Sequence, residues 1–153
     1  MSDLTASLQA AASGGKILES SARNALAMLA KSSSRHDAAS IRELVESENW
    51  TEIDNRFFRS LAFGTGGLRG KTIGATVTSV EQGEPQPLGR PQFPCAGTNA
   101  MNFYNISRAT QGLAAYVKEY FATTGRGGKP AICICHDTRF YSREFAELAA
   151  KVI

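Results

Sequence analysis

Between two helical patterns lies a run of apolar residues, Ala131-Ile132-Cys133-Ile134-Cys135, opened by Pro130 and closed by the polar turn His136-Asp137-Thr138-Arg139. A continuous apolar run of this length predicts a strand covered on both faces, because successive side chains point to opposite sides and both sides are apolar. Upstream, Ile106, Ala109, Leu113, Val117 and Tyr120 recur at helical spacing until Gly125 and Gly127-Gly128 end the helix. Downstream, Ser142 is the expected cap of a helix carrying Phe145, Leu148, Ala149 and Val152. Helix, strand and helix in that order predict an α/β domain with a largely parallel sheet, whose ligands gather beyond the carboxyl ends of strands. Asp137 and Arg139 occupy such a position, although an Asp–Arg pair can equally serve to stabilise the turn itself. A parallel strand needs partners, so one strong strand implies an unfinished sheet and the N-terminal piece of something longer.

The preceding residues read as helices. Residues 1–12, rich in Ala and Ser, are expected to be frayed or weakly helical. Order is expected from Ile17, where Leu18, Ala22, Ala25, Leu26 and Leu29 follow helical spacing. Asp37 is the expected cap of a second helix with Ile41, Leu44 and Val45 on one face and an Arg42–Glu46 pair. A third is expected from Thr51, paired with Asp54 at its start and carrying Ile53, Phe57, Phe58 and Leu61. Residues 72–98 hold Pro85, Pro87, Pro91 and Pro94 without a sustained period, which predicts a short strand near 75–80 and then a long loop, either an insertion or a lid. The chain thus divides into a partly flexible helical extension at 1–36 and a partial domain at 37–153 with a loop or insertion at about 71–97.

The third helix runs into Phe63-Gly64-Thr65-Gly66-Gly67-Leu68-Arg69-Gly70. Its glycines let backbone N–H groups converge on an anion, and the Arg69 guanidinium offers a fork of donors to phosphate oxygens. A tight turn with an exposed arginine is the alternative reading. Gly70-Lys71-Thr72 resembles the end of a Walker A loop, but that loop needs glycine at position 65, which is Thr. A dinucleotide-binding fingerprint would need glycine at position 69 and a preceding strand.

With 42% hydrophobic and 20% charged residues, 153 residues can bury the core of one soluble domain. The net charge of +3 is spread among interleaved acids and bases, so no nucleic-acid stripe is indicated. No apolar stretch reaches the roughly 18 residues of a membrane span, and the N-terminus lacks a leader pattern, so a cytoplasmic location is the default. The cysteines Cys95, Cys133 and Cys135 are odd in number and form no disulfide framework. Cys133, Cys135 and His136 lack the second pair that a zinc site needs, and His136 reads as structural or solvent-facing.

Taken together, residues 63–70, Gly97-Thr98-Asn99-Ala100-Met101-Asn102, Ala109-Thr110-Gln111-Gly112-Leu113, and His136-Asp137-Thr138-Arg139 with Ser142-Arg143-Glu144-Phe145-Ala146 resemble the start of the phosphoglucomutase/phosphomannomutase family, the α-D-phosphohexomutases. The resemblance covers roughly residues 40–153 and is nearest to the branch with extra N-terminal helices. It implies an incomplete domain I, with N-terminal helices leading into an α/β/α mixed sheet. It also implies a four-domain enzyme that moves phosphate between the 1 and 6 positions of a hexose through a phosphoserine and a hexose 1,6-bisphosphate, assisted by Mg2+. It places substrate or phosphate contacts at Thr65, Gly66, Gly67 and Arg69, with active-site support from Asp137 and Arg139. Neither the phosphoserine loop nor the magnesium loop has a counterpart here, so no catalytic residue and no metal ligand is assigned, and the chain alone is expected to be inactive. Its implied partners are a small phosphorylated sugar and the remainder of its own chain, domains II–IV, with no nucleic acid and no membrane. Two departures stand out: Ala100 replaces the family's usual arginine, and residues 71–96 exceed the family loop. A phosphopentomutase, a sugar-bisphosphate synthase, a non-catalytic sugar-phosphate-binding module and a remnant that does not fold stably are the alternatives.

Overall fold

Helices dominate because apolar residues three and four apart recur through the first half of the chain. A computed structural model describes residues 2–64 and 66–153, in two units, 1–102 and 103–153.

In the first unit, α1 (Ser2–Ser13), α2 (Glu19–Lys31), α3 (Arg35–Glu46) and α4 (Trp50–Phe57) pack against one another. Their core comprises Leu4, Leu8 and Ala11 from α1, Ala25 and Met28 from α2, Ile41 and Leu44 from α3, and Ile53 and Phe57 from α4. Where composition predicts a frayed or weak helix, residues 2–13 form a helix with Leu4, Leu8 and Ala11 buried. Leu4, Leu8 and Ala11 lie on one face, and burying a leucine is worth about 1.5–3 kcal/mol, enough to outweigh weak local propensity.

The expected caps shift by a few residues. Ser34 caps α3, its Oγ accepting from the Asp37 N–H at 3.4 Å, while the Asp37 carboxylate accepts from Ser32 Oγ at 2.5 Å. Burial raises the Asp37 pKa. Asn49 caps α4 by accepting from the Glu52 N–H at 3.2 Å. Asp54, expected at that cap, instead accepts from the Leu18 N–H at 2.9 Å and so joins α4 to the start of α2. The expected Arg42–Glu46 pair forms at 3.9 Å.

After α4 the chain makes a hairpin of β1 (Phe63–Gly64) and β2 (Gly67–Leu68), antiparallel, with Phe63 opposite Leu68 and Gly64 opposite Gly67. The strand expected near 75–80 is absent. Thr78 and Glu81 form a capping box that starts a one-turn helix, α5 (Ser79–Gln82), a Thr-x-x-Glu signal legible in the sequence. The long segment is tied down by backbone bonds from Phe93 N to Glu81 O at 3.0 Å, Cys95 N to Thr72 O at 2.9 Å and Met101 N to Lys71 O at 2.9 Å.

In the second unit, α6 (Phe103–Thr124) packs on α7 (Ser142–Val152), with the Phe103 and Phe145 rings edge to face at 5.5 Å. Tyr141 precedes α7 in the left-handed region, at φ 63°, and Ser142 is the first helical residue rather than the cap. Residues 131–135 have no regular secondary structure and form no ladder among the described residues, and Cys133, Cys135 and Ile134 are exposed. The strand covered on both faces is therefore not formed: an isolated strand has nothing to receive its backbone hydrogen bonds. The described residues are mostly helical with one small hairpin, which is consistent with part of an α/β domain but does not include a mixed sheet. Among them no helix is long and apolar enough to cross a membrane.

Candidate functional site

The hairpin turn depends on glycine. Gly66 and Gly67 have φ of 87° and 104°, a region in which an L side chain is strained. The Arg69 guanidinium folds back over this turn, since a methyl group added at Gly66 would lie 3.2 Å from its Nη2. Thr65 lies outside the described residues.

Arg69 opens onto a cleft of about 280 Å³ whose rim also carries Arg59, Lys71, Asn55 and Asn99. Arg59 is held in place: its Nε donates to Asn99 Oδ1 at 3.0 Å, and its guanidinium lies 5.0 Å from the Phe58 ring centre. Asn99 is fixed in turn, its N–H donating to Arg56 O at 2.9 Å and its Nδ2 to Asn55 O at 3.3 Å. Among the described residues, the Arg69 and Lys71 side chains make no hydrogen bond or ion pair.

Beneath this rim lies a buried charge cluster. Arg56, 3% exposed, donates from Nε to Glu52 Oε1 at 2.7 Å, from Nη1 to Glu81 Oε1 at 2.6 Å and from Nη2 to the Thr76 carbonyl at 2.5 Å. Glu81 also accepts from Ser40 Oγ at 2.6 Å and from the Ala96 N–H at 2.9 Å. One guanidinium thus joins α3, α4 and both ends of the 71–98 segment. Burial works against its charge, but its bonds to Glu81 and Glu52 more than compensate, and its pKa is raised. For Glu81, burial pushes the carboxyl up while Arg56, Ser40 and the Ala96 N–H pull it down further, leaving it below its usual range. Gly74 completes the packing, for a side chain there would overlap the Arg56 and Glu52 side chains. Burial pushes the nearby Cys95 thiol up to about 11, so it stays protonated and is no nucleophile at neutral pH.

Asp137 and Arg139 belong to the second unit. Asp137 accepts from the Arg139 N–H at 3.0 Å and from its Nε at 2.9 Å, and the Asp137 N–H donates to Ser142 Oγ at 3.1 Å. These bonds from Arg139 hold the Asp137 carboxyl down at about 2. The pair staples its own turn while Arg139 stays 87% exposed. His136 is exposed beside it.

The cleft does not fit a magnesium ion. Its exposed charges are cations, and its carboxylate, Glu52, is already bonded to Arg56. No group of three or more His, Cys, Asp or Glu suited to a metal occurs among the described residues.

Residues 95–153 match the family described as phosphoglucomutase/phosphomannomutase, alpha/beta/alpha domain I. That segment is similar in sequence to domain I of the phosphohexomutases. The match bears out the resemblance seen in Gly97-Thr98-Asn99 and His136-Asp137-Thr138-Arg139. A protein from Saccharomyces cerevisiae (strain ATCC 204508 / S288c) named phosphoribomutase is 29% identical over 110 residues, 72% of this chain. The chain spans 13% of that relative's length. No solved structure matches the chain.

Three cleft residues, Arg56, Arg59 and Lys71, are absent from the site expected from sequence. Arg56 carried a signal: it lies four residues after Glu52 on the helical face that also holds Ile53, a charged pair set among core positions. Arg59 and Lys71 carried none beyond their closeness to the glycine loop.

Proposed function

We propose that this chain is the N-terminal part of a phospho-sugar mutase and that its cleft contacts the phosphate of the sugar. The observation that carries this reading is the glycine hairpin that sets Arg69 on the rim of a cleft with Arg59 and Lys71. Cations gathered around one space attract a phosphate group, and the same arrangement stabilises charge on a transferring phosphoryl group. In the full reaction a phosphoserine donates to the free hydroxyl of a hexose phosphate, and a hexose 1,6-bisphosphate forms and reorients before returning the other phosphate to the serine. Mg2+, by neutralising charge during transfer, would be held by residues other than those of this cleft. The Asp137–Arg139 staple is assigned a supporting role in shaping the active-site turn. Partners on this reading are a small phosphorylated sugar and domains II–IV of the same chain, in the cytoplasm.

A pentose phosphate is the second reading, favoured by the relative named phosphoribomutase. A non-catalytic sugar-phosphate-binding module would share the cleft without the chemistry.

The test is a titration of the purified chain with glucose 6-phosphate and ribose 5-phosphate, followed by amide chemical shifts, with glucose and ribose as controls. Shifts centred on Gly67, Arg69 and Asn99 with the phosphates but not the free sugars are expected, with no turnover in a coupled mutase assay. Equal response to free sugars would remove the phosphate assignment, and turnover by this chain would overturn the expected inactivity.

A further inference from the structure

Three cations on one cleft rim repel one another, so a fold that places them around one space without a free carboxylate favours an anion there. Arg59, Arg69 and Lys71 line the cleft, while the one carboxylate on its wall is bonded to Arg56 at 2.7 Å. Lys71 is fixed by its backbone: it bridges Ala100 in parallel register, and its carbonyl accepts from the Met101 N–H at 2.9 Å. Gly70 permits that approach, since a methyl group there would sit 3.0 Å from the Met101 nitrogen and 3.3 Å from the Ala100 carbonyl carbon. Arg59 is fixed at both ends, its side chain by Asn99 Oδ1 and its carbonyl by Thr98 Oγ1, which donates to it at 2.8 Å. Two cations anchored through the segment that carries Asn99 and Ala100 thus face the same space as the arginine of the hairpin.

We propose that Arg59 and Lys71 are anion-binding residues acting with Arg69, and that the cleft selects a dianionic phosphate monoester over a monoanion of the same shape. Lys71 supplies a charge beside Ala100, a small buried residue that can supply none. Selection follows from charge count: with three cations and no free carboxylate on the lining, each added negative charge on the ligand gains attraction. This inference rests on the phosphate reading of the cleft given above.

The experiment uses the full chain, with glucose 6-phosphate and glucose 6-sulfate as probes, titrated by calorimetry at pH 7.5 in low salt. The sulfate ester is a monoanion of nearly the same shape. Expected are weaker binding of the sulfate, and losses of about tenfold in phosphate affinity for Lys71→Met and for Arg59→Met, the size of one charged hydrogen bond. Lys71→Arg should keep most of the affinity. Both residues are exposed, so unchanged melting of the variants verifies the fold. If Arg69→Met abolishes binding while Lys71→Met and Arg59→Met bind as the unaltered chain does, the inference fails and the phosphate reading stands. Equal affinity for phosphate and sulfate esters overturns the dianion selection. Absence of phosphate binding by the unaltered chain overturns the reading and the inference together.

Discussion

At the scale of single residues, Arg56 decides most. Its bonds to Glu52, Glu81, Thr76 O and Ala96 O join α4 to two stretches of the 71–98 segment beneath the cleft. Removing one partner of a buried ion pair strands the other's charge, at about 3–5 kcal/mol, so Arg56→Met should lower the denaturant midpoint sharply. Glu81 gives that cluster a pH signature. Its pKa is lower in the folded chain than the ordinary 4.5, so its stabilisation is complete above that value and is lost as the pH falls through the lower folded one. Unfolding free energy measured from pH 6 down to pH 3 should therefore fall in the parent and fall less steeply in Glu81→Gln. A parallel pair of curves would show that Glu81 contributes nothing in this range. Arg56 was the residue most open to discovery in advance, because a Glu–Arg pair four apart on an apolar face has no solvent to satisfy it. Lys71 was not, since its partner strand at Ala100 lies far along the chain.

At the scale of elements, what could be read was periodic and local, and what could not depended on distant partners. The helices at 19–31, 35–46, 50–57, 103–124 and 142–152 follow apolar spacing, and the sequence-based boundaries miss by only a few residues at the caps. Caps slip because Ser34, Asn49 and their neighbours offer several competent side chains, and the choice is settled by which oxygen faces the free N–H. The first helix was misjudged because alanine and serine hide a narrow stripe of Leu4, Leu8 and Ala11. Leu8, fully buried, gives the check: Leu8→Ala should cost about 2–5 kcal/mol by chemical denaturation, whereas a frayed segment would lose almost nothing. The run at 131–135 was misjudged for the opposite reason. Its composition suits a buried strand, but a strand is a property of a pair, and no described residue pairs with it. The glycine hairpin was legible as a turn. Its placement of Arg69 over Gly66 was not, because that depends on the positive φ of Gly66 and Gly67 and on the path by which the strand after the turn returns.

At the scale of the molecule, the two units differ in how well their apolar surface is covered. Most of the buried apolar side chains, Leu8, Met28, Ile41, Leu44, Ile53 and Phe57 among them, belong to the first, which also exposes Leu88 (89%) and Phe63 (76%), while the second buries Tyr141 and Phe145 and leaves Tyr116 64% exposed. Limited proteolysis should therefore cut first between residues 125 and 140, where the backbone is irregular and exposed, leaving the 1–102 unit intact on mass spectrometry. First cuts within residues 71–98 would instead mean that the Arg56 cluster fails to hold that segment down. The division has a further consequence. Every residue lining the cleft lies between 52 and 100, so all of its parts are translated before Phe103. N-terminal units fold first during synthesis, so the emerging polypeptide exposes every part of its cleft before the second unit has left the ribosome. On the proposed phosphate reading, an anion seated in the cleft would favour the folded form of the first unit by mass action.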